Sequence, residues 1–184
     1  GYSPCRWQKC TDAMLRKKSH DIRPEKLRLV TLMAADFNHN NKLIGKHIMA
    51  NGERAGAFAE EQYGSRKHLS APLHALNKVL DLDGSKQMRQ PCVIVANDAR
   101  SCYDRIVLVA AYCSMMKYGI PSKAEQSMCT TIARLEHSIR TAYGDSQSTY
   151  GGQQWDRIPH GIGQGNGAGP ALWACVSSPL LDIL

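Results

Sequence analysis

The sequence predicts an α+β fold, and three observations carry that prediction. Strand-like and helix-like segments do not alternate along the chain as they would in a wound βαβ sheet. Two short apolar runs suited to strands, Leu27–Leu32 and residues 93–96, stand far apart, with segments of helical spacing after each. A glycine-dense stretch, Gly161-Ile162-Gly163-Gln164-Gly165-Asn166-Gly167-Ala168-Gly169-Pro170, separates a hairpin-like region from one last helix.

Taken in order, residues 1–20 are polar and basic, with Trp7 and Met14-Leu15 as the strong apolar anchors. Leu27-Arg28-Leu29-Val30-Thr31-Leu32 reads as a strand. From about Asn38 a helical spacing runs through Leu43-Ile44 and His47-Ile48 towards Phe58, interrupted at Gly52 and Gly56. Gln62-Tyr63-Gly64-Ser65-Arg66 is a turn. Ser70 as N-cap and Pro72 in the first turn then start a helix through Leu73, Leu76, Val79 and Leu80, with Asp83-Gly84-Ser85 as a loop after it.

Val93-Ile94-Val95-Ala96 predicts a strand buried in a sheet. Tyr103 onward is helical, with Ile106, Val109, Ala110, Cys113 and Met116 on one face, stopping at Gly119-Ile120-Pro121. A second helix is predicted from about Ser122 to Arg140. A hairpin follows from Tyr143 to Trp155 with Gly151-Gly152 inside it. Pro170 opens a final helix through Leu172, Trp173 and Val176.

The bulk properties narrow the function. At 184 residues the chain suits one domain or two small lobes, and 43% apolar with 21% charged residues is ordinary globular composition. No window approaches the roughly 18 uninterrupted apolar residues of a membrane span, so no membrane partner is expected. Gly1-Tyr2-Ser3-Pro4 carries neither initiator Met nor signal peptide, and Pro179-Leu180-Leu181-Asp182-Ile183-Leu184 stops inside an apolar run. The chain therefore reads as a fragment of a longer one. Seven scattered cysteines with no C-x-x-C pair read as reduced thiols of an intracellular protein, in cytoplasm or nucleus, rather than a zinc site. Oligomeric state leaves no mark in the sequence.

The net charge of +7 is unevenly placed. Residues 1–90 hold 16 Lys/Arg against 9 Asp/Glu, whereas residues 91–184 hold 7 against 7. A basic lobe beside a neutral one suits a grip on phosphates joined to a part that does chemistry, or else a solvated charged face. Asp98 follows the apolar run 93–96, where a strand would end. There it is either an N-cap for the next helix or a ligand for a hard cation.

Four segments in order resemble reverse transcriptases of the non-LTR retrotransposon and group II intron type. Asp98-Ala99-Arg100-Ser101-Cys102-Tyr103-Asp104 is similar to motif A, and Gly161-Ile162-Gly163-Gln164-Gly165 with Pro170 to motif B. Leu27-Arg28-Leu29-Val30 resembles the fingers motif R-P-[IL], with Leu29 in place of proline. Glu61-Gln62-Tyr63-Gly64-Ser65-Arg66 resembles Q-x-G-F-R, with Ser65 in place of the aromatic. Gly169 stands where motif B usually has serine.

The resemblance implies a right-hand polymerase fold, with residues 1–90 as fingers and 91–184 as a partial palm with an intervening fingers segment. The chain stops before the Y/F-x-D-D motif. It implies RNA-directed DNA polymerase activity in the intact parent, by two-metal nucleotidyl transfer to a primer 3′-hydroxyl, with this fragment inactive by itself. Mg²⁺, or Mn²⁺ in its place, would be the cofactor, and RNA template, DNA primer and dNTP the partners. Asp98 would be the catalytic metal ligand. Arg28 would contact the triphosphate, or else decorate an edge strand. Tyr103 would exclude a 2′-hydroxyl, or else pack as a core aromatic. Gln164 and Gly165 would lie against the incoming nucleotide. Lys17, Lys18 and Arg66 would hold template. Asp104 sits at a helix start, where it complements the dipole.

Two other readings remain. One is a non-catalytic nucleic-acid-binding remnant of the same fold. The other takes Gly163-Gln164-Gly165-Asn166-Gly167-Ala168 as a dinucleotide loop, but Asp156-Arg157-Ile158-Pro159-His160 before it makes a poor central strand.

Overall fold

The computed structural model describes residues 3–17, 19–20, 23–95, 99–152 and 161–183. Lys18 and Asp98 therefore lie outside the described residues. The architecture is α+β, with six α-helices and a small mixed sheet among those residues.

A 3₁₀ turn at Cys5–Gln8 leads into β1 (Lys9–Arg16), and a second at Pro24–Lys26 leads into β2 (Leu27–Leu32). The two strands pair antiparallel, with Asp12 opposite Thr31. Helix α1 (Ala35–Ala55) follows. It passes through Gly52 and ends at Gly56, whose left-handed backbone (φ 58°) closes the C-terminus. Helix α2 (Ala71–Gln87) starts as its caps predict: Leu73 N–H donates to Ser70 Oγ at 3.4 Å, and Pro72 sits in the first turn. It continues through Asp83-Gly84-Ser85, where the sequence suggests a loop.

The strand expected at 93–96 does not form over its described part. Residues 93–95 are irregular, and Val93 and Val95 are 85% and 70% exposed. A strand needs a neighbour for its N–H and C=O groups, and no described residue pairs with this run. The helix expected from Tyr103 breaks at Ile106-Val107 into α3 (Cys102–Arg105) and α4 (Leu108–Lys117). That break rotates the apolar face, so Ala111 and Met115 are buried while Val109 and Met116 are exposed.

Helix α5 (Ser122–Ala133) stops well short of Arg140, because residues Glu136–Thr141 form β3 instead. β3 pairs in parallel with β1, an arrangement set by long-range register that helical spacing in the sequence cannot reveal. Two short strands, β4 (Gly144–Asp145) and β5 (Tyr150–Gly151), fold back antiparallel on β3. The sheet order is β2-β1-β3-β4, with β5 also on β3, so β1 and β3 are its interior strands. Helix α6 (Gly169–Leu181) opens with Pro170 in its first turn, as predicted.

One core unites these parts: Phe37, Ile44 and Ile48 from α1, Met115 from α4, Met128 and Ile132 from α5, and Leu172 and Cys175 from α6. Helix α2 stands apart from it. None of its residues is buried, and Leu76, Val79 and Leu80 are each at least half exposed. Two outcomes follow from that contrast. Leu172→Ala removes a fully buried side chain and should cost about 2–5 kcal/mol in a urea unfolding series. Leu80→Ala on α2 should change stability by less than about 0.5 kcal/mol in the same series.

Candidate functional site

The glycine stretch is a structured loop seated on three elements. Ile162 N–H donates to the Tyr103 carbonyl at 3.0 Å, and Thr31 N–H donates to the Gln164 carbonyl at 2.7 Å. On the α1 side, Asn38 Nδ2 donates to the Gly165 carbonyl at 3.0 Å while its Oδ1 accepts from Gly167 N–H at 2.6 Å. Asn166, almost fully buried, ties the loop to itself. Its Nδ2 donates to the Ile162 carbonyl at 3.0 Å, and its Oδ1 accepts from Ala168 N–H at 2.9 Å. Glycine is required where the chain passes closest to its seat. A Cβ on Gly165 (φ 129°) would lie 2.5 Å from the Thr31 carbonyl oxygen, and one on Gly161 (φ 94°) 2.5 Å from Asp104 Cα.

Beside the loop is a cleft of about 610 Å³ whose lining includes Lys17, Glu25, Arg28, Arg100, Tyr103 and Gln164. Four of the residues singled out in the sequence thus meet there: Lys17 from the end of β1, Arg28 from β2, Tyr103 from α3 and Gln164 from the loop. Lys17 and Arg28 are exposed and pair with no carboxylate among the described residues, and the same holds for Arg100. Glu25 is 3.8 Å from Arg23. Tyr103 is half-buried, and burial, followed by the nearby Cys102, raises its hydroxyl pKa. Ser101 holds a left-handed backbone (φ 50°), an uncommon conformation for a serine, at the turn that places Arg100 and Tyr103 on the cleft wall.

Two of the other predicted positions lie elsewhere. Gly165 sits on Thr31 and Asn38 and is absent from the cleft lining. Arg66 closes the turn after α1. Its Nε and Nη2 donate to Glu53 at 2.8 and 3.0 Å, its Nη1 donates to the carbonyls of Ala59 and Gln62 at 3.0 and 3.4 Å, and its guanidinium lies over the Phe58 ring. The Arg66 bonds hold Glu53 below the usual carboxylate range.

Behind the cleft, and sharing Leu29 and Asp104 with it, lies a second cavity of about 260 Å³. Its polar centre is Asp12 of β1, which is fully buried. Thr31 Oγ1 donates to Asp12 Oδ1 at 2.8 Å. His137 Nδ1 lies 2.8 Å from Asp12 Oδ2, and the Tyr150 hydroxyl also donates to that oxygen. Burial is the largest single influence on Asp12 and pushes its pKa up, but the hydrogen bonds from His137, Tyr150 and Thr31 together carry it below the ordinary value. Asp104 does more than face a helix dipole: the Gln164 N–H pulls the pKa of its carboxylate down. Its pKa is raised, chiefly by burial and further by the charge on Asp12, against the pull of that N–H. Sequence reasoning missed Asp12, Thr31, His137 and Tyr150, since each is a lone polar residue until the sheet register joins them.

The acids that line the two cavities are Glu25, Asp104 and Asp12. Asp12 already accepts three side-chain hydrogen bonds in a buried site, which leaves it little capacity for a hard cation such as Mg²⁺ or Mn²⁺. No group of three or more His, Cys, Asp or Glu among the described residues could hold a metal ion, and Asp98 is outside them. No helix among the described residues is long and apolar enough to cross a membrane. All seven cysteines are unpaired. No protein-family model matches the chain, and no curated protein sequence matches it.

Asp104 gives the site a signed pH response. Its folded pKa lies above its unfolded value, so the folded state holds the proton more tightly. Ionising it costs stability as pH rises from about 3.9 through the folded value. Asp104→Asn keeps an acceptor for Gln164 and removes the charge. The variant should unfold at higher urea than the parent at neutral pH, with the gap closing near about pH 3.

Proposed function

We propose that the cleft binds the triphosphate of a nucleotide, and that the chain is the fingers and partial palm of an RNA-directed DNA polymerase of retroelement type. The observation that carries the reading is convergence: Lys17, Arg28, Tyr103 and Gln164, named from separate sequence segments, line one cleft. Nothing about motif spelling requires them to meet. A planar guanidinium and a flexible ammonium, both without carboxylate partners among the described residues, suit phosphate oxygens, and Arg100 adds a third cation. The Tyr103 ring forms a wall on which a sugar could rest, where bulk discriminates by clash. The step from triphosphate binding to polymerisation of DNA on an RNA template rests on the resemblance of the four motifs. Asp98 is the residue proposed to bring the catalytic cation, and RNA template and DNA primer are the proposed macromolecular partners.

A second reading keeps the fold and drops the chemistry, making the chain a nucleic-acid-binding remnant. The charge distribution favours it, because the whole excess of seven positive charges lies in residues 1–90.

Calorimetric titration of the 184-residue chain with dCTP tests the cleft. Saturable binding is expected, with Arg28→Ala and Lys17→Ala each weakening it about tenfold, the scale of one charge-assisted hydrogen bond. Binding that ignores both substitutions would remove the triphosphate from this cleft. Primer extension on an RNA template by a longer parent chain should be abolished by Asp98→Asn. A folded parent that binds RNA in a salt-sensitive way yet never extends a primer would select the remnant.

A further inference from the structure

Asp12 does not line the cleft, yet it is one bonded residue away from the loop that does. We propose that Asp12 is a positioning residue for Gln164, acting through Thr31 to set where the glycine loop lies.

The contact chain is short and has no slack. Asp12 Oδ1 accepts the Thr31 hydroxyl at 2.8 Å, which fixes the rotamer of a β-branched side chain in β2. Thr31 then meets three consecutive loop residues. Its N–H donates to the Gln164 carbonyl at 2.7 Å. Its carbonyl oxygen lies 2.5 Å from where a Cβ on Gly165 would be, and its Cβ and Oγ1 each 3.3 Å from where one on Gly163 would be. Contacts this close leave no room for the strand to move without the loop moving too. The other oxygen of Asp12 is held by His137 and Tyr150, opposite each other on β3 and β5, so the carboxylate is braced from the far side of the sheet. The Gln164 carbonyl is bonded to Thr31, while the residue itself lines the cleft. The hold on the loop stands by itself; only its consequence for nucleotide affinity rests on the triphosphate reading above.

Amide hydrogen exchange followed by NMR, together with dCTP titration, tests this on the 184-residue chain. The variants are Asp12→Asn, Thr31→Val, which removes only the hydroxyl, and Thr31→Ser, which restores it. In Asp12→Asn and Thr31→Val, exchange at the Thr31 and Gln164 amides should quicken about tenfold or more, while core amides such as Ile48 and Leu172 keep their protection. The dCTP dissociation constant should rise about tenfold in both, and Thr31→Ser should behave as the parent. Should Asp12→Asn fail to fold, Thr31→Val and Thr31→Ser carry the comparison alone. Unchanged protection at Thr31 and Gln164 in folded Thr31→Val would overturn the proposal, as would a loss spread evenly over the core. If the parent chain binds no dCTP, local loosening of the two amides still upholds the positioning role, and it is the triphosphate reading that falls.

Discussion

A carboxylate in the middle of a sheet is tolerable only when its lone pairs are filled, and Asp12 imposes that condition on everything around it. It sits on β1, an interior strand, and takes its donors from β2, β3 and β5. Removing any one of those strands would take away one of its three partners. The register that places Asp12 opposite Thr31 is therefore held by the chemistry of a buried acid as well as by the ladder. Slipping β1 by one residue would turn Asp12 to the other face and bring Ala13 in its place, losing all three bonds together.

That constraint passes outward to the cleft. β2 carries Thr31 towards the loop and Arg28 towards the cleft, so one strand fixes the floor and places a cation above it. The loop in turn fastens to Tyr103 and Asp104, which places α3 and the cleft wall. Lys17, Arg28 and Arg100 end up around one space with no carboxylate partner among the described residues. Glu25 and Asp104 also line that space, so its three cations face two carboxylates, and an anionic occupant gains from the one-charge positive excess. Arg66 shows the opposite economy: bonded to Glu53 and two carbonyls, it stabilises a turn and has little left to offer a phosphate.

What the sequence made legible was local chemistry. β2, the Ser70 and Pro72 start of α2, the stop of α4 before Gly119-Ile120-Pro121 and the Pro170 start of α6 all depend on residues within one turn of each other. Non-local pairing was illegible. β1 hides because two of its inward residues are Cys10 and Asp12, so its alternation does not read as apolar against polar. β3 hides because Met128, Ile132 and Leu135 continue a helical spacing up to its edge, and only its parallel partner makes it a strand. The run 93–96 errs the other way. Its composition suits a strand, but composition supplies no neighbour, and Val93 to Val95 stand exposed. The cleft residues were found through motif spelling, whereas the Asp12 cluster has no spelling to find.

The two sides of the cleft are consequently held by different physics. Its inner side, at Gln164, is held from behind by the Asp12 and Thr31 hydrogen bonds, which are buried or shielded and costly to break. Its outer rim, at Lys17 and Arg28, is made of exposed side chains whose heads pair with no carboxylate among the described residues. A ligand reading such a site meets a preset loop and adjustable cations. On the proposed triphosphate reading, shape selectivity falls to Gln164 and Tyr103, which cannot yield without disturbing the sheet or α3, and affinity falls to the rim, which responds to salt. Substitutions that alter what the site accepts are expected to cluster on the buried side, and those that alter only how tightly it binds on the exposed side.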